Sequence, residues 1–160
     1  CGRRRAPQRR RAIGEGGGLA GPAKIVDQPA RGAIGHRSPV IIHEDSSLKS
    51  ARDLLRSAGF RHLPVLGKDD RISGMLSSTD IENFFLWIDN AVENPEAVIA
   101  NMVVKDIMAT KIITIKKDQT VEEANDILLS HGIRALPVVE NLKIIGIICE
   151  TDILHYYNKK

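Results

Sequence analysis

The dipeptide Thr-Asp occurs twice, and both copies stand where they could bind a polar ligand. Thr79-Asp80 and Thr151-Asp152 each follow an apolar stretch typical of a strand and precede a stretch typical of a helix. An ionised carboxylate at such a junction can accept two charge-assisted hydrogen bonds from a vicinal diol. The unpaired amides of a helix N-terminus favour an anion such as phosphate. The competing interpretation is helix capping, which aspartate does without any ligand.

The other reactive residues are not arranged for catalysis or metal binding. The histidines are scattered, with no His-x-x-x-His spacing, at His36, His43, His62, His131 and His155. Gly16-Gly17-Gly18 does not lead from a strand into a helix, so it is no phosphate loop. Cys1 and Cys149 are too few for a disulfide framework or a four-ligand zinc site, which favours a reducing, cytoplasmic compartment. We therefore expect no enzyme, no metal site and no required cofactor.

Composition indicates a globular chain with an unusual N-terminus. The 160 residues are 42% hydrophobic and 27% charged, which is typical of a folded domain. No window approaches the 18 or so apolar residues of a membrane span, so we expect no membrane association. Residues 1–37 carry nine basic and two acidic side chains, whereas the rest carries 14 basic and 18 acidic ones. The tail is rich in Gly, Ala, Pro and Arg, which predicts disorder over residues 1–37.

Three interpretations of this basic tail compete. It is an inert or foreign segment, a nucleic-acid-binding arm, or a transit peptide. The arm would use Arg3–Arg5 and Arg9–Arg11 to neutralise phosphates. The scarcity of serine and the lack of an amphipathic period speak against the transit peptide. Because the remaining residues are acidic on balance, we do not expect nucleic acid to be the main partner.

The remaining chain is a tandem duplication. A shift of 73 positions places Arg61-x-Leu-Pro-Val on Arg134-x-Leu-Pro-Val, and a shift of 72 places Thr79-Asp80-Ile81 on Thr151-Asp152-Ile153. Periodicity in each copy predicts the order β-α-β-β-α. The boundaries that we expect are a first repeat over 38–92, a linker helix over 93–103 and a second repeat over 104–160.

Local signals predict the elements of each copy. Short apolar runs at 40–42 and 112–115 indicate strands. Thr120 and Glu123 form the pattern of a capping box, and Gly59 and Gly132 stand where left-handed C-caps are needed. Neither copy could bury its apolar face alone. The predicted fold is therefore an α+β pair of repeats, packed sheet to sheet.

The motifs of the two copies resemble those of the cystathionine-β-synthase (CBS) domain pair. They are Lys-Asp-Ile-Met at 105–108, Gly-x-Arg-x-Leu-Pro-Val before a hairpin and Gly-x-x-x-x-Thr-Asp before a helix. The resemblance covers about residues 38–157. It implies a pseudo-two-fold pair that acts as a non-catalytic regulatory module, often a homodimer, for a downstream protein. Its ligand would be an adenine nucleotide or a related adenosine compound (AMP, ADP, ATP or S-adenosylmethionine), bound in the cleft between the repeats.

The resemblance also implies a role for each matching residue. The acids would bind ribose, and the basic residues before Leu-Pro-Val would meet the phosphates of a nucleotide held mainly by the other repeat. This pairs Asp80 with Arg134, and Asp152 with Arg61 and His62. Adenine would lie against residues 39–40 or 112–113, with Leu63-Pro64 or Leu136-Pro137 opposite. The predicted ligand-binding residues are Pro39, Val40, Arg61, His62, Pro64, Ser77, Thr79, Asp80, Ile112, Ile113, Arg134, Pro137, Thr151 and Asp152.

Two departures bear on these expectations. Cys149 stands where the first repeat has Ser77, and a thiol is a much weaker hydrogen-bonding group than a hydroxyl. The segment before the first repeat, at 31–37, also lacks the helix-forming pattern that precedes the second. The alternative function is a ligand-free structural or dimerisation module. Aromatic bulk at 84–88 would then serve packing between the lobes or a homodimer contact.

Overall fold

The computed structural model describes residues 36–37 and 39–159, and they form two β-α-β-β-α units that confirm the predicted α+β tandem fold. The first unit, after the short strand β1 (His36–Arg37), comprises β2 (Ile42–His43), α1 (Leu48–Ala58), β3 (His62–Leu66), β4 (Ile72–Ser77) and α2 (Ser78–Ala91). The linker helix α3 (Pro95–Ile99) leads to the second, with β5 (Ile115–Lys116), α4 (Val121–His131), β6 (Ala135–Glu140), β7 (Lys143–Cys149) and α5 (Glu150–Asn158). None of the helices in these ranges is both long and apolar enough to cross a membrane.

Residues 1–35 of the predicted tail lie outside the described part of the chain. The structure orders His36–Arg37, which the sequence assigned to that tail, as strand β1. This strand pairs with β7 of the second repeat, so it adds a fourth strand to that sheet. A strand therefore precedes the first copy, although its sequence lacks the usual helix-forming pattern there. We call this stretch and its equivalent at 104–109, ahead of the second repeat, the lead-in segments.

Local chemistry explains where the helices begin and end. Thr120 and Glu123 form the predicted capping box, in which Thr120 Oγ1 accepts from Glu123 N at 3.2 Å and Glu123 Oε2 accepts from Thr120 N at 2.7 Å. Gly59 and Gly132 have φ of 68° and 62°, so both helices end in the predicted left-handed caps. These positions need no tertiary contact to explain them.

The first strand of each repeat is shorter and later than its apolar run predicts. β2 and β5 each pair with only two residues of a parallel neighbour, β3 or β6. Residues 112–114, which the apolar pattern assigned to a strand, precede β5 and belong to no strand. Their backbone and side chains are therefore available to line the space between the repeats.

The two sheets, ordered β2-β3-β4 and β1-β7-β6-β5, are joined by a reciprocal exchange of lead-in segments. Ahead of the second repeat, Ala109 pairs with Met75 of β4 through two backbone hydrogen bonds of 2.8 and 2.9 Å. Ahead of the first repeat, His36 pairs with Ile147 of β7. These pairs occupy equivalent positions in the duplication, which gives the molecule its pseudo-two-fold arrangement. Met75 also packs on Ala135, Ile147 and Cys149, so the sheets meet face to face.

The exchange places part of the second repeat's lead-in within the first core. Val104 is fully buried among the first repeat's apolar side chains. The backbone around it is fixed by Leu48 N donating to Met102 O at 3.0 Å and by Val104 N donating to Ser46 O at 2.9 Å. Lys105 adds a 2.9 Å ion pair with Asp45. This segment closes the core of the repeat that precedes it in sequence.

Helix α2 divides the aromatic cluster at 84–88 between two environments. Phe85 and Ile88 are buried, and the guanidinium of Arg52 lies over the Phe85 ring at 4.1 Å. Leu86 and Trp87 are 65% and 62% exposed. Intramolecular packing thus accounts for one face of the helix and leaves an apolar pair at the surface.

We expect Val104→Ala to destabilise the protein far more than Val98→Ala. The first substitution removes two buried methyl groups from a residue with no exposed surface, which should lower the free energy of unfolding by about 2 kcal/mol. Val98, on α3, is 42% exposed, so its loss should cost less than about 0.5 kcal/mol. Urea unfolding followed by circular dichroism measures both. Equal effects would show that the lead-in segment does not belong to the first core.

Candidate functional site

A cleft of about 490 Å³ lies between the repeats and is lined by residues of both. We call it the Asp80 cleft. Met75 and Ala109, the pair that joins the repeats, line it, so the exchange of lead-in segments builds part of its wall. The other lining residues are Arg61, His62, Ser77, Ser78, Thr79, Asp80, Lys111, Ile112, Ile113, Gly132, Ile133, Arg134, Ala135 and Glu150.

Ser77 holds the acidic side of the cleft in place. Its Oγ accepts a 3.0 Å hydrogen bond from Asp80 N and thereby caps α2. Asp80 therefore does not serve as the N-cap, which was the competing interpretation of this residue. Among the described residues, no hydrogen bond or ion pair engages its exposed carboxylate. The first Thr-Asp site thus presents an available acceptor to the cleft.

Three cations from both repeats line the same cleft. Arg61 and Arg134 occupy equivalent positions directly before β3 and β6. The backbone carbonyl of each accepts a hydrogen bond from the first residue of the helix that follows the hairpin. Ser78 N donates to Arg61 O at 2.8 Å, and Glu150 N donates to Arg134 O at 3.0 Å. Within the described ranges, neither arginine nor Lys111 forms an ion pair. Their charges therefore remain available to an anion.

His62 is the half-buried titratable group of this cleft. Burial of the imidazole lowers the pKa of His62 below its usual 6.5, while the carboxylates of Glu150 and Asp80 oppose the shift. The side chain is consequently neutral near pH 7 and adds no positive charge to the cleft. In that form it can donate one hydrogen bond and accept another.

The second Thr-Asp site is built differently. Asp152, on the first turn of α5, is half-buried, and its Oδ2 accepts a 2.8 Å hydrogen bond from Cys149 N. It does not line the Asp80 cleft, and neither does the exposed Thr151. Arg61 and His62, which the resemblance pairs with Asp152, lie in the Asp80 cleft together with Arg134.

The predicted prolines are also placed away from this cleft. Pro64 and Pro137 are buried within β3 and β6, and Leu136 is fully buried in the second core. The expected wall at 136–137 is instead formed by Ile133 and Ala135, because strand alternation turns Leu136 into the core. Pro39 and Val40 are half-buried, and Val40 packs on the first core.

Lys111 and Glu150 are the charged residues that sequence reasoning missed. Lys111 directly precedes the predicted wall at 112–113, and Glu150 occupies the position that Ser78 holds in the first repeat. Aligning the repeats flags position 150, since a charge replaces a small hydroxyl. Nothing local shows that both residues line the Asp80 cleft, because they reach it from a different repeat than Asp80.

The two repeats and the cleft between them define a tandem domain pair, and comparison with known families agrees. The model of the CBS domain matches twice, at residues 32–86 and 104–159. These matches cover more than half of the chain. The chain therefore belongs to the CBS domain family.

The chain is also similar to individual proteins and solved structures. An uncharacterised protein of Methanocaldococcus jannaschii, MJ1225, is 37% identical over 111 residues, which are 67% of this chain but only 39% of that protein. The CBS domain pair of protein MJ0100, solved with 5'-methylthioadenosine and S-adenosylmethionine, superposes with a TM-score of 0.67 at 23% identity, covering 79% of this chain and 94% of that one. CBSX2 in complex with AMP gives a TM-score of 0.63 at 24% identity, covering 76% and 89%. These two structures show the fold.

We expect His62→Gln to make the protein less sensitive to acid. Because the pKa of His62 is lowered on folding, the unfolded chain binds a proton at higher pH than the folded chain does. Wild-type stability should therefore fall as pH drops from 7 to 5, by more than that of the variant. His155→Gln, at an exposed position on α5, is the control. Parallel stability curves for wild type and His62→Gln, measured by urea unfolding, would contradict the assignment.

Proposed function

We propose that this protein is a non-catalytic regulatory module that binds an adenosine nucleotide in the Asp80 cleft. The main support for the proposal is that one cleft contains both the available carboxylate of Asp80, from the first repeat, and the guanidinium of Arg134, from the second. Supporting it, the MJ0100 and CBSX2 pairs, which share the fold, were solved with adenosine compounds. No step in the proposal requires bond making or breaking.

The binding mode follows from the chemistry of the lining. The two hydroxyls of a ribose donate to the Asp80 carboxylate, and such charge-assisted bonds contribute about 1.5–3 kcal/mol each. The phosphates are met by Arg134, with Arg61 and Lys111 as further cations of the cleft. The adenine base packs on the apolar stretch Ile112–Ile113, which lies outside the strands. A bound nucleotide thus contacts both repeats.

Charge favours an anionic ligand. The cleft holds the cations of Arg61, Lys111 and Arg134 against the carboxylates of Asp80 and Glu150, while His62 is neutral. AMP, ADP and ATP bring negative charge to this excess of cations, whereas the sulfonium of S-adenosylmethionine brings a positive one. We therefore place the three nucleotides ahead of S-adenosylmethionine.

The regulatory signal would come from the bridging itself. A ligand that contacts both repeats stabilises those arrangements in which the repeats hold it best. It can therefore bias the shape of an assembly that a downstream protein recognises. The Met75–Ala109 connection lies at the cleft, so a change in ligand occupancy acts directly on the junction of the repeats.

We expect AMP, ADP and ATP to raise the melting temperature, and Asp80→Asn to abolish the effect. A ligand at 100 times its Kd stabilises by about 2.7 kcal/mol, which corresponds to roughly 5–10 °C for a chain of this size. S-adenosylmethionine and NAD, tested at equal concentration, should give smaller shifts. Asp89→Asn, at an exposed position of the same helix, is the matched control. Absence of a shift with every compound would refute the nucleotide function and favour a ligand-free structural module.

We further propose that the module is a homodimer through the exposed face of α2. Leu86 and Trp87 are adjacent and largely exposed, and the Trp87 ring packs at a tilt of 39° on the half-buried Phe84, with centroids 6.0 Å apart. Aromatic residues are only 4% of the chain, so an exposed tryptophan beside a leucine favours a covered surface. A second copy supplies the same apolar pair in a symmetric contact.

We expect Leu86→Glu to dissociate the dimer, since it places a charge in an apolar contact. The control is Leu129→Glu, because Leu129 is 73% exposed on α4. Sedimentation equilibrium at micromolar concentration should give a dimer of 17.6 kDa chains for the wild type and the control. The Leu86→Glu variant should be a monomer. A monomeric wild type would refute the dimer but not nucleotide binding.

A further inference from the structure

We propose that this chain binds one nucleotide, in the Asp80 cleft, and that the pseudo-symmetric position around Asp152 is not a nucleotide site. The inference rests on the proposed function and concerns which of two duplicated sites performs it. Each repeat carries Thr-Asp and an arginine before Leu-Pro-Val, so duplication alone would produce two equivalent sites. Three differences between the repeats remove that equivalence.

The first difference is the state of the carboxylates. Asp80 is exposed at the cleft, and its backbone N–H is satisfied by Ser77 Oγ at 3.0 Å. At the second position the hydrogen bond involves the carboxylate, because Asp152 Oδ2 accepts from Cys149 N at 2.8 Å. Asp152 is thereby oriented towards its own helix N-terminus. A ribose diol would have to compete with that backbone amide, whereas Asp80 is available without rearrangement.

The second difference is the loss of a hydroxyl. Ser77 accepts the Asp80 amide with its oxygen and still has a proton to donate to a phosphate or ribose oxygen. Cys149 occupies the equivalent position, and only 1% of it is exposed. Sulfur forms weaker hydrogen bonds than oxygen. Cys149 therefore does not replace the Ser77 hydroxyl as a donor.

The third difference is the loss of a cation. Lys111 lines the Asp80 cleft. The shift of 73 positions that aligns this part of the repeats places Ser38 opposite it, and serine carries no charge. Arg61 and Arg134 are equivalent to each other and both line the Asp80 cleft. The Asp80 cleft therefore has the arginines of both repeats as well as Lys111.

Together the differences concern an acceptor, a hydroxyl donor and a cation that Asp80, Ser77 and Lys111 supply and that the matching residues Asp152, Cys149 and Ser38 do not. Each is a charged or polar contact to the ligand, and the loss of two such contacts weakens binding by about 100-fold or more. A single occupied site also makes the response of the pair asymmetric. One nucleotide per chain would bridge Asp80 of the first repeat to Arg134 of the second.

Equilibrium dialysis with radiolabelled AMP, and in parallel with ATP, tests the stoichiometry. We expect saturation at one nucleotide per chain. Asp80→Asn should lose binding by at least about 100-fold, while Asp152→Asn should retain wild-type affinity, because asparagine can still accept from Cys149 N. Ser77→Cys and Lys111→Ser, which copy the second repeat's residues into the first, should each weaken AMP binding by about 10-fold. Circular dichroism melts without ligand establish that every variant is folded.

The possible results separate this inference from the proposed function. Saturation at two nucleotides per chain overturns the single-site inference and leaves the nucleotide function intact. Loss of binding in folded Asp152→Asn, with binding kept in Asp80→Asn, overturns the assignment to the Asp80 cleft. If the wild type binds neither AMP nor ATP, both fail. One nucleotide per chain with an Asp80-dependent affinity supports both.

Discussion

Two backbone hydrogen bonds between Met75 and Ala109 fix the connection between the two repeats. They tie the lead-in of the second repeat to the sheet of the first, and both residues then line the cleft. The approach is close enough to require glycine at position 74, since a Cβ there would lie 2.5 Å from Met108 Sδ and 2.9 Å from Ala109 O. Because the exchange is reciprocal, the sheet of each repeat pairs with the segment that precedes the other repeat in the sequence.

The inter-repeat cleft shows how duplicated sequences come to differ in their hydrogen bonds. The backbone pairing of Met75 with Ala109 has its equivalent in the pairing of Ile147 with His36. The carboxylates at the two Thr-Asp positions are not equivalent, because that of Asp152 accepts from Cys149 N, whereas that of Asp80 accepts from none of the described residues. Small changes of hydrogen-bonding partner, without a change of fold, are enough to give the two positions different chemistry.

Sequence reasoning succeeded where the cause is local. The capping box of Thr120 and Glu123 and the left-handed glycines at 59 and 132 follow from neighbouring residues, and the structure confirms them. It was less successful where burial depends on a distant partner. The bounds of β2 and β5 differ from the apolar runs because each pairs with only two residues. Lys111 and Glu150 were missed because they reach the Asp80 cleft across the repeat boundary.

The sequence by itself determined the duplication, the β-α-β-β-α order, the family and the residue types that could bind a nucleotide, since these depend on spacing and local periodicity. Only the tertiary structure decided that Val104 completes the first core, that Arg61 and Arg134 line one cleft, and that Asp80 presents an available carboxylate while Asp152 accepts from Cys149. The physical reason is that the residue type alone sets the charge and the hydrogen-bonding capacity of a side chain. Whether that capacity is already satisfied depends on groups that folding brings beside it.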